Sequence, residues 1–369
     1  MKKETTSNKF LTEMLSIPAL SREEHQRADF LENYLESCGL VVFRKHNNLL
    51  VGELERKDSR LRLLLNSHMD TVAPAQGWES DPYQPQVRSD RIIGLGSNDA
   101  GASVVTMIAT YRELAARLEE KIELLLLISA EEEVSGSNGI SAVLPLPGDV
   151  DGVIVGEPTG MQPAVAERGL MVLDGAAMGK AGHAARNEGD NAIYRAMNDI
   201  QSMAGLKFER KSDWLPDPGA QVTMISAGTN HNVVPDLCRF VVDVRSNDRY
   251  SNREMLEMIR SVCMAELNPR STRLESSSLD PGHFLMESVM KCGLRPYGSS
   301  SLSDMALIPY PAIKMGPGDP ARSHTAEEFI LFSELEAGIS GYSALLMTIL
   351  EMARSREKQA GKNGITYHN

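Results

Sequence analysis

The chain has 369 residues, of which 42% are hydrophobic and 24% charged, with 29 glycines and 18 prolines. This length predicts about two domains, and the composition excludes a disordered, collagen-like or low-complexity protein. The formal net charge is −12 without a block of consecutive lysines or arginines, which argues against binding to nucleic acid or to an anionic membrane surface.

The first third of the chain alternates between predicted helices and strands. Ser21 and Glu24 form a capping-box pattern ahead of a helix over residues 27–38. Apolar patterns further along predict strands over residues 61–65, 122–128 and 150–155 and a helix over residues 101–118. Nearly continuous apolar strands that alternate with helices predict a mixed, mostly parallel sheet with helices on both faces.

The pattern changes between residues 168 and 276. It predicts strands over residues 171–179, 221–227, 238–245 and 271–275, and helices over residues 191–205 and 253–267. This β-α-β-β-α-β order is typical of an open sheet with helices on one face.

A strand over residues 313–315 then returns to the first pattern, and Thr325 with Glu328 predicts the cap of a long C-terminal helix. We therefore predict an α/β domain formed by residues 1–167 and 277–369, interrupted by an inserted α+β domain of residues 168–276.

The cysteines and the apolar runs indicate the compartment. The four cysteines are far apart and form no CxxC pair, so neither a disulfide framework nor a thiolate zinc site is predicted. Apolar runs such as residues 124–128 are too short to cross a bilayer. A cytoplasmic protein without membrane contact is expected.

Histidines and acids occur in the turns that follow the predicted strands of the α/β domain. They are His68 and Asp70, Asp99 in a glycine-rich turn, Glu131 to Glu133, Glu157, and His324 after a loop rich in glycine and proline. In open α/β sheets, ligands bind at the carboxyl ends of the strands. The pattern therefore predicts that these side chains meet at one edge of the sheet.

Each of these residues alone has a structural explanation, such as a solvated charge run, a helix cap or a hydrogen-bonded surface histidine. Placing all of these acids and imidazoles at one edge of the sheet without a cation would cost several kcal/mol in like-charge repulsion and desolvation. A divalent metal removes that cost. Two histidines and three carboxylates suit zinc, with cobalt or manganese as alternatives, and suffice for two ions that share a bridging carboxylate.

Several short motifs carry a resemblance to a known family. In chain order they are His68-Met69-Asp70-Thr71, Asp99 after Gly94, Ala130-Glu131-Glu132-Glu133, Gly156-Glu157-Pro158-Thr159, Gly182-His183-Ala184, Asn232-Val233-Val234-Pro235, Asp243-Val244-Arg245 and Ser323-His324-Thr325-Ala326-Glu327-Glu328. The series resembles the M20 metallopeptidases, which include acetylornithine deacetylase, succinyl-diaminopimelate desuccinylase, aminoacylases and glutamate carboxypeptidases.

The resemblance implies a centre of two metal ions, zinc first. His68 and Glu157 would hold one ion, Glu133 and His324 the other, and Asp99 would bridge them.

The resemblance also implies roles for two further acids. Asp70 would accept from the second ring nitrogen of His68 and fix its tautomer. Glu132 would be the general base, because the family order is an acid, the base and then a ligand, and Glu131 takes the first place.

The inserted domain would be the family's lid and dimerisation domain, and a homodimer is expected. His183 matches a histidine that reaches the active site of the partner subunit and stabilises the oxyanion, and Asn232 and Arg245 match residues that bind the substrate. On the sequence alone, a surface-loop histidine is the favoured interpretation of His183. A turn amide for Asn232 and an edge-strand charge for Arg245 are as well supported as substrate binding.

The expected reaction is removal of an N-acyl group from a small amino acid by a water molecule that Glu132 deprotonates. N-acetylornithine or an acylated citrulline is the first expectation, because residues 156–159 and 316–318 resemble the deacetylases of arginine biosynthesis. The alternatives are a succinyl-diaminopimelate desuccinylase, a metallodipeptidase, or a nonenzymatic protein that binds an amino-acid derivative.

Two sequence features limit these assignments. Leu95 and residues 100–102 stand where family members often carry an arginine and Met-Lys-Gly, which weakens close analogy in the choice of substrate. A nucleotide-binding oxidoreductase is not favoured, because Gly101 comes too late for GxGxxG and Asp99 would repel a pyrophosphate.

Overall fold

The computed structural model describes residues 6–56, 60–146 and 148–363. Its α-helices are α1 (Thr6–Leu15), α2 (His25–Ser37), α3 (Ala102–Leu118), α4 (Ile140–Val143), α5 (Ala192–Ala204), α6 (Asn252–Val262), α7 (Phe284–Lys291) and α8 (Phe332–Asn363).

The strands of the described ranges are β1 (Val42–Lys45), β2 (Asn48–Val51), β3 (Leu61–His68), β4 (Gln86–Val87), β5 (Arg91–Ile93), β6 (Ile122–Ser129), β7 (Gly152–Val155), β8 (Ala164–Glu167), β9 (Met171–Met178), β10 (Gly182–His183), β11 (Gly219–Ala227), β12 (Val233–Val234), β13 (Leu237–Arg245), β14 (Glu266–Pro269), β15 (Ser277–Ser278), β16 (Tyr297–Ser299), β17 (Ala312–Lys314) and β18 (Phe329–Leu331).

The chain divides into two compact units. The first comprises Met1–Val165, Leu279–Tyr297 and Ser303–Asn369, and the second comprises Ala166–Ser278 and Gly298–Leu302. The sequence prediction places the inserted segment at residues 168–276.

The first unit contains a sheet of strand order β1-β2-β6-β3-β7-β17-β8. Its centre, β6-β3-β7-β17, is parallel, which confirms the predicted mixed, mostly parallel sheet. Consecutive residues Leu63, Leu64 and Leu65 are all fully buried, so both faces of the sheet are covered. Helix α3 packs against β3 and β6, and α8 packs against α3.

The parallel strands end side by side, which positions the loops that follow them. His68 at the end of β3 pairs with Ser129 at the end of β6. Asn66 pairs with Val155, the last residue of β7. The turns that begin at residues 69, 130 and 156 therefore leave the sheet at one edge.

The second unit is an antiparallel sheet of order β11-β13-β9-β14 with helices α5 and α6. Residues of β9 are alternately buried and partly exposed, as expected for a sheet with one covered face. Its core includes Leu173 and Phe240 from the sheet and Ala196 and Met255 from the helices.

Two boundaries in the second unit were predicted wrongly. Helix α6 ends at Val262 rather than at residue 267, and the last strand of the four-stranded sheet is β14 (Glu266–Pro269) rather than residues 271–275. The carboxylate of Asp199 explains the early end, because it accepts hydrogen bonds from the amides of Met264 and Ala265 at 2.9 and 2.8 Å. These two amides are therefore not available to continue the helix.

Both predicted capping boxes of the first unit are also wrong. Glu24 occupies the position before α2 without a side-chain cap bond, and α8 begins only at Phe332. The hydroxyl of Thr325 donates to the Arg322 carbonyl at 2.7 Å instead. No helix in the described residues combines the length and apolarity needed to traverse a bilayer.

Candidate metal centre

The structure brings six predicted site residues of the first unit together: His68, Asp99, Glu132, Glu133, Glu157 and His324. They form three overlapping sets in which one ligand atom from each residue lies within 4.8 Å of the others. The sets are His68 with Glu132 and Glu133, His68 with Asp99 and Glu157, and Asp99 with Glu133 and His324.

Asp99 lies between the two histidines. Its Oδ1 is 3.2 Å from Nε2 of His68, and its Oδ2 is 3.7 Å from Nε2 of His324. Each carboxylate oxygen thus faces a different imidazole. A carboxylate that bridges two metal ions needs this arrangement.

The remaining acids divide between the two histidines. Glu157 Oε1 is 3.5 Å from Nε2 of His68, whereas Glu133 Oε2 is 2.9 Å from Nε2 of His324. Exposure differs as well, since 1% of the His68 side chain and 53% of the His324 side chain are accessible. The cluster therefore has a buried end and an open end.

Asp70 orients His68, but mainly through its backbone. Nδ1 of His68 is 3.1 Å from the Asp70 carbonyl oxygen and 3.5 Å from the Asp70 carboxylate. A proton on Nδ1 that is donated to this carbonyl leaves Nε2 unprotonated toward Asp99 and Glu157. The closer acceptor is therefore the main-chain carbonyl and not the carboxylate that the resemblance implies.

The loop that carries the three glutamates is held by its amides. The N–H groups of residues 130–133 each donate to a buried side chain. The acceptors are Asn48 Oδ1 for residue 130 (3.0 Å), Glu24 Oε1 for residue 131 (3.1 Å), and Asp70 Oδ1 and Oδ2 for residues 132 and 133 (3.0 and 3.1 Å). Ser21 supports Asp70 by donating to its Oδ2 at 2.7 Å.

Glu131 differs from the two glutamates that follow it. Its carboxylate accepts from the amide and the side chain of Asn138 at 3.2 and 3.1 Å, within its own loop. Glu132 and Glu133 belong to the cluster instead. Of the three glutamates, Glu131 thus bonds within its loop, and the other two offer ligand atoms to the cluster.

A family model described as peptidase family M20/M25/M40 matches residues 64–348. The chain belongs to peptidase family M20/M25/M40. Membership makes it a hydrolase of amide bonds, which confirms the enzyme class predicted from the motifs.

Curated relatives of this M20-family chain carry the name of a desuccinylase. The chain is 26% identical over 266 residues to a succinyl-diaminopimelate desuccinylase of Dinoroseobacter shibae, and this match covers 68% of the chain and 70% of the relative. It is 27% identical over 370 residues to one of Rhizorhabdus wittichii, covering 91% and 96%.

A solved structure has the same fold. A tripeptidase from Staphylococcus aureus superposes with a TM-score of 0.74 at 21% identity, covering 95% of this chain and 99% of that chain.

The carboxylates of the cluster are buried and repel one another when no cation is present. Burial raises the pKa of Glu132 well above its ordinary value, and the neighbouring charges of Glu157 and Asp304 add to the shift. Burial also raises the pKa of Glu157 to about 8, opposed by His68. A divalent cation would relieve this repulsion, and the mixed nitrogen and oxygen donors suit zinc, cobalt or manganese. The residues of this M20-family chain therefore fit a metal centre.

We expect metal binding to release protons at neutral pH. The hydrogen bond to Glu133 raises the pKa of His324 to about 9, and the pKa of Glu157 is about 8. Both groups hold a proton at pH 7 that a cation must displace, so metal affinity should rise with pH over this range. Calorimetric titration of Zn²⁺ in buffers with different ionisation enthalpies counts the protons, and equal heats in every buffer would contradict the expectation.

Three predicted site residues lie in the second unit. His183 at the end of β10 and Val233 of β12 pair across a short antiparallel ladder, and Ala184 N–H donates to the Asn232 carbonyl. Arg245 ends β13, and its guanidinium donates twice to the Asp243 carboxylate, at 2.7 and 3.0 Å.

Proposed function

We propose that this M20-family hydrolase cleaves the amide bond of a small N-acyl amino acid, with N-succinyl-diaminopimelate as the first candidate substrate. The observation that carries the proposal is the six-residue cluster in which one carboxylate faces two histidines. The names of the two curated relatives favour the succinyl substrate. This reverses the order expected from the sequence motifs, so N-acetylornithine becomes the second candidate.

His68 and Glu157 would hold one ion, Glu133 and His324 the other, and Asp99 both. The distances between these groups support this pairing. Two divalent ions, zinc first and cobalt or manganese as alternatives, would polarise the amide carbonyl and lower the pKa of a water molecule.

Glu132 would take a proton from the attacking water and return it to the leaving amine. Its Oε2 lies 3.9 Å from Nε2 of His68, and Asp70 holds its backbone. As a carboxylate, Glu132 can accept this proton, and as the resulting acid it can return the proton to the amine.

His183 would stabilise the oxyanion. The amide of Ala185 donates to Nδ1 of His183 at 3.2 Å, which places the proton of the neutral ring on Nε2. An exposed Nε2–H is the kind of donor that stabilises the negative oxygen of a tetrahedral intermediate.

Replacement of His183 by alanine should lower kcat by about a hundredfold or more, the usual cost of one oxyanion donor. Metal content and the far-UV spectrum should stay at wild-type values, because His183 lies in the other unit from the proposed ligands. Steady-state kinetics with His231→Ala as the matched control measures this. An effect on KM alone would contradict the oxyanion role.

Asn232 and Arg245 would bind the substrate. Asn232 is exposed and adjoins His183 through the ladder of β10 and β12, which supports a shared role. Two guanidinium nitrogens of Arg245 already donate to Asp243, so a substrate carboxylate would use the N–H groups that remain.

The second unit would act as a lid and as the surface of a homodimer. Strand β11 is an edge strand of its sheet, and its residues Met224 and Ile225 are 65% and 54% exposed. An exposed apolar edge strand is a template for pairing with a second chain. Helix α5 packs against β11 and exposes Tyr194 and Met197, which widens the apolar surface.

Lysines at Met224 and Ile225 should convert the dimer to a monomer, because two buried charges at the edge would have no partners. The matched control is Met264→Lys, on an 88% exposed residue before the opposite edge strand, β14. Light scattering after size-exclusion chromatography gives the mass. A wild-type monomer, or a double variant that stays dimeric, would refute this surface.

A substrate panel tests the function. Protein with measured metal content is assayed on succinyl and acetyl forms of diaminopimelate, ornithine and citrulline, and on dipeptides. We expect the highest kcat/KM for N-succinyl-diaminopimelate. A preference for N-acetylornithine or for dipeptides would replace this substrate. Binding without turnover, in metal-loaded protein, would leave only a nonenzymatic binding role.

A further inference from the structure

Glu328 is a buried acid that the proposed chemistry does not use. Its residue is 2% exposed, and its carboxylate accepts hydrogen bonds from three backbone amides of the turn that carries Asp99. Oε1 accepts from the amides of Asn98 and Asp99 at 2.8 and 2.9 Å, and Oε2 accepts from that of Gly96 at 3.1 Å.

This position is costly for a carboxyl group. Burial and the charge of Asp99 raise the pKa of Glu328 to about 7, and the three amide donors offset only part of that shift. A neutral side chain could fill the same space without the cost of burying a charge beside another carboxylate. The contacts thus indicate that the carboxylate geometry itself, with two acceptors facing three donors, matters here.

Glu328 also belongs to the segment that presents His324. Glu328 lies four residues after His324 in the chain, and its main-chain carbonyl accepts a hydrogen bond from Gly94 N–H at 2.9 Å. Strand β18 begins directly after Glu328 and pairs with β5. The segment therefore supplies one histidine of the cluster and, through Glu328, holds the turn of the acid that faces both histidines.

We propose that Glu328 is a positioning residue that fixes Asp99 between His68 and His324. The proposal depends on the metal centre of the proposed function. Loss of the carboxylate should release the turn of residues 96–99, so that Oδ1 and Oδ2 of Asp99 no longer face the two histidines together.

The test compares Zn²⁺ and Mn²⁺ binding by wild type, Glu328→Ala and Glu328→Gln, measured by calorimetry on the full-length, metal-free proteins. Glu328→Ala should weaken the binding of at least one ion by about 10–100-fold, the usual cost of removing a group that orients a ligand. The metal affinity of Glu328→Gln should lie between those of wild type and Glu328→Ala. Its amide oxygen can still accept from the amides of Asn98 and Asp99, while its NH₂ group faces the Gly96 donor.

Glu327→Ala is the matched control. Glu327 is the adjacent acid and accepts a backbone amide as well, that of Glu79 at 2.9 Å, but it does not hold the turn of Asp99. Its loss should leave both metal affinities at wild-type values.

Thermal unfolding of the metal-free proteins separates positioning from general support of the fold. A lower melting temperature with unchanged metal affinities, or equal affinities in Glu327→Ala and Glu328→Ala, would overturn the proposal. If Glu328→Ala does not fold, the affinity of Glu328→Gln decides. Wild type that binds no metal would refute the proposed function itself, whereas intact metal binding in the Glu328 variants refutes only this inference.

Discussion

Glu132→Gln should lower kcat by about a thousandfold or more, since a general acid or base typically contributes roughly 100- to 10,000-fold. Glutamine keeps the shape of the side chain but cannot accept the proton of the attacking water. Metal stoichiometry should stay near the wild-type value, because His68, Asp99, Glu133, Glu157 and His324 are unchanged. Steady-state kinetics and metal analysis on the same preparation measure both.

Glu131→Gln is the matched control, one residue away. The Glu131 carboxylate bonds to Asn138 rather than to the cluster, so this change should affect stability more than turnover. Comparable activity in Glu132→Gln would show that the base lies elsewhere, and loss of turnover only in Glu131→Gln would shift the assignment by one residue.

Asp99→Ala should remove both ions at concentrations that saturate wild type. Its two oxygens face the two histidines separately, at 3.2 and 3.7 Å, so its loss takes a candidate ligand from each ion. Loss of a direct ligand should exceed the roughly 10–100-fold cost of losing a group that only orients one. Equilibrium dialysis followed by metal analysis gives the stoichiometry.

Two single-site variants complete this experiment. Glu157→Ala removes an acid near His68, and His324→Ala removes the partner of Glu133, so each should weaken mainly one ion. Asp99→Ala protein that retains one tightly bound ion would contradict a bridge and favour two independent sites.

The sequence predicted the sheet well because its strands are buried on both faces. Runs such as residues 61–65 and 122–128 are apolar except for Arg62 and Glu123, which form a buried ion pair at 3.2 Å. Strands β3 and β6 extend these runs only to His68 and Ser129. The acids after these strands could be predicted to meet, since parallel strands end at a common edge. The confirmed fold class rests on the same feature.

The contacts that hold the cluster could not be predicted in the same way. The pairs Ser21 with Glu24 and Thr325 with Glu328 both fit a capping pattern, which describes only local bonds. In the structure Ser21 bonds to Asp70, Glu24 to residue 131, and Glu328 to residues 96, 98 and 99. A pattern within four residues carries no information on partners that lie 49 to 232 residues away in the chain.

The end of helix α6 was missed for a related reason. The apolar spacing continues to residue 267, but Asp199 on α5 binds the amides of Met264 and Ala265 and ends the helix. Pro269 in the following strand is compatible with its edge position, where one amide donor is not required.

The four amides of residues 130–133, which donate to the side chains of Asn48, Glu24 and Asp70, have a practical consequence. Since main-chain donors fix that bend, exchange of the glutamate at position 132 should leave its path undisturbed. Inactive Glu132→Gln protein would then keep the conformation of this loop. Its crystals could be soaked with acyl compounds that the variant does not cleave, and diffraction from them would show the bound substrate directly.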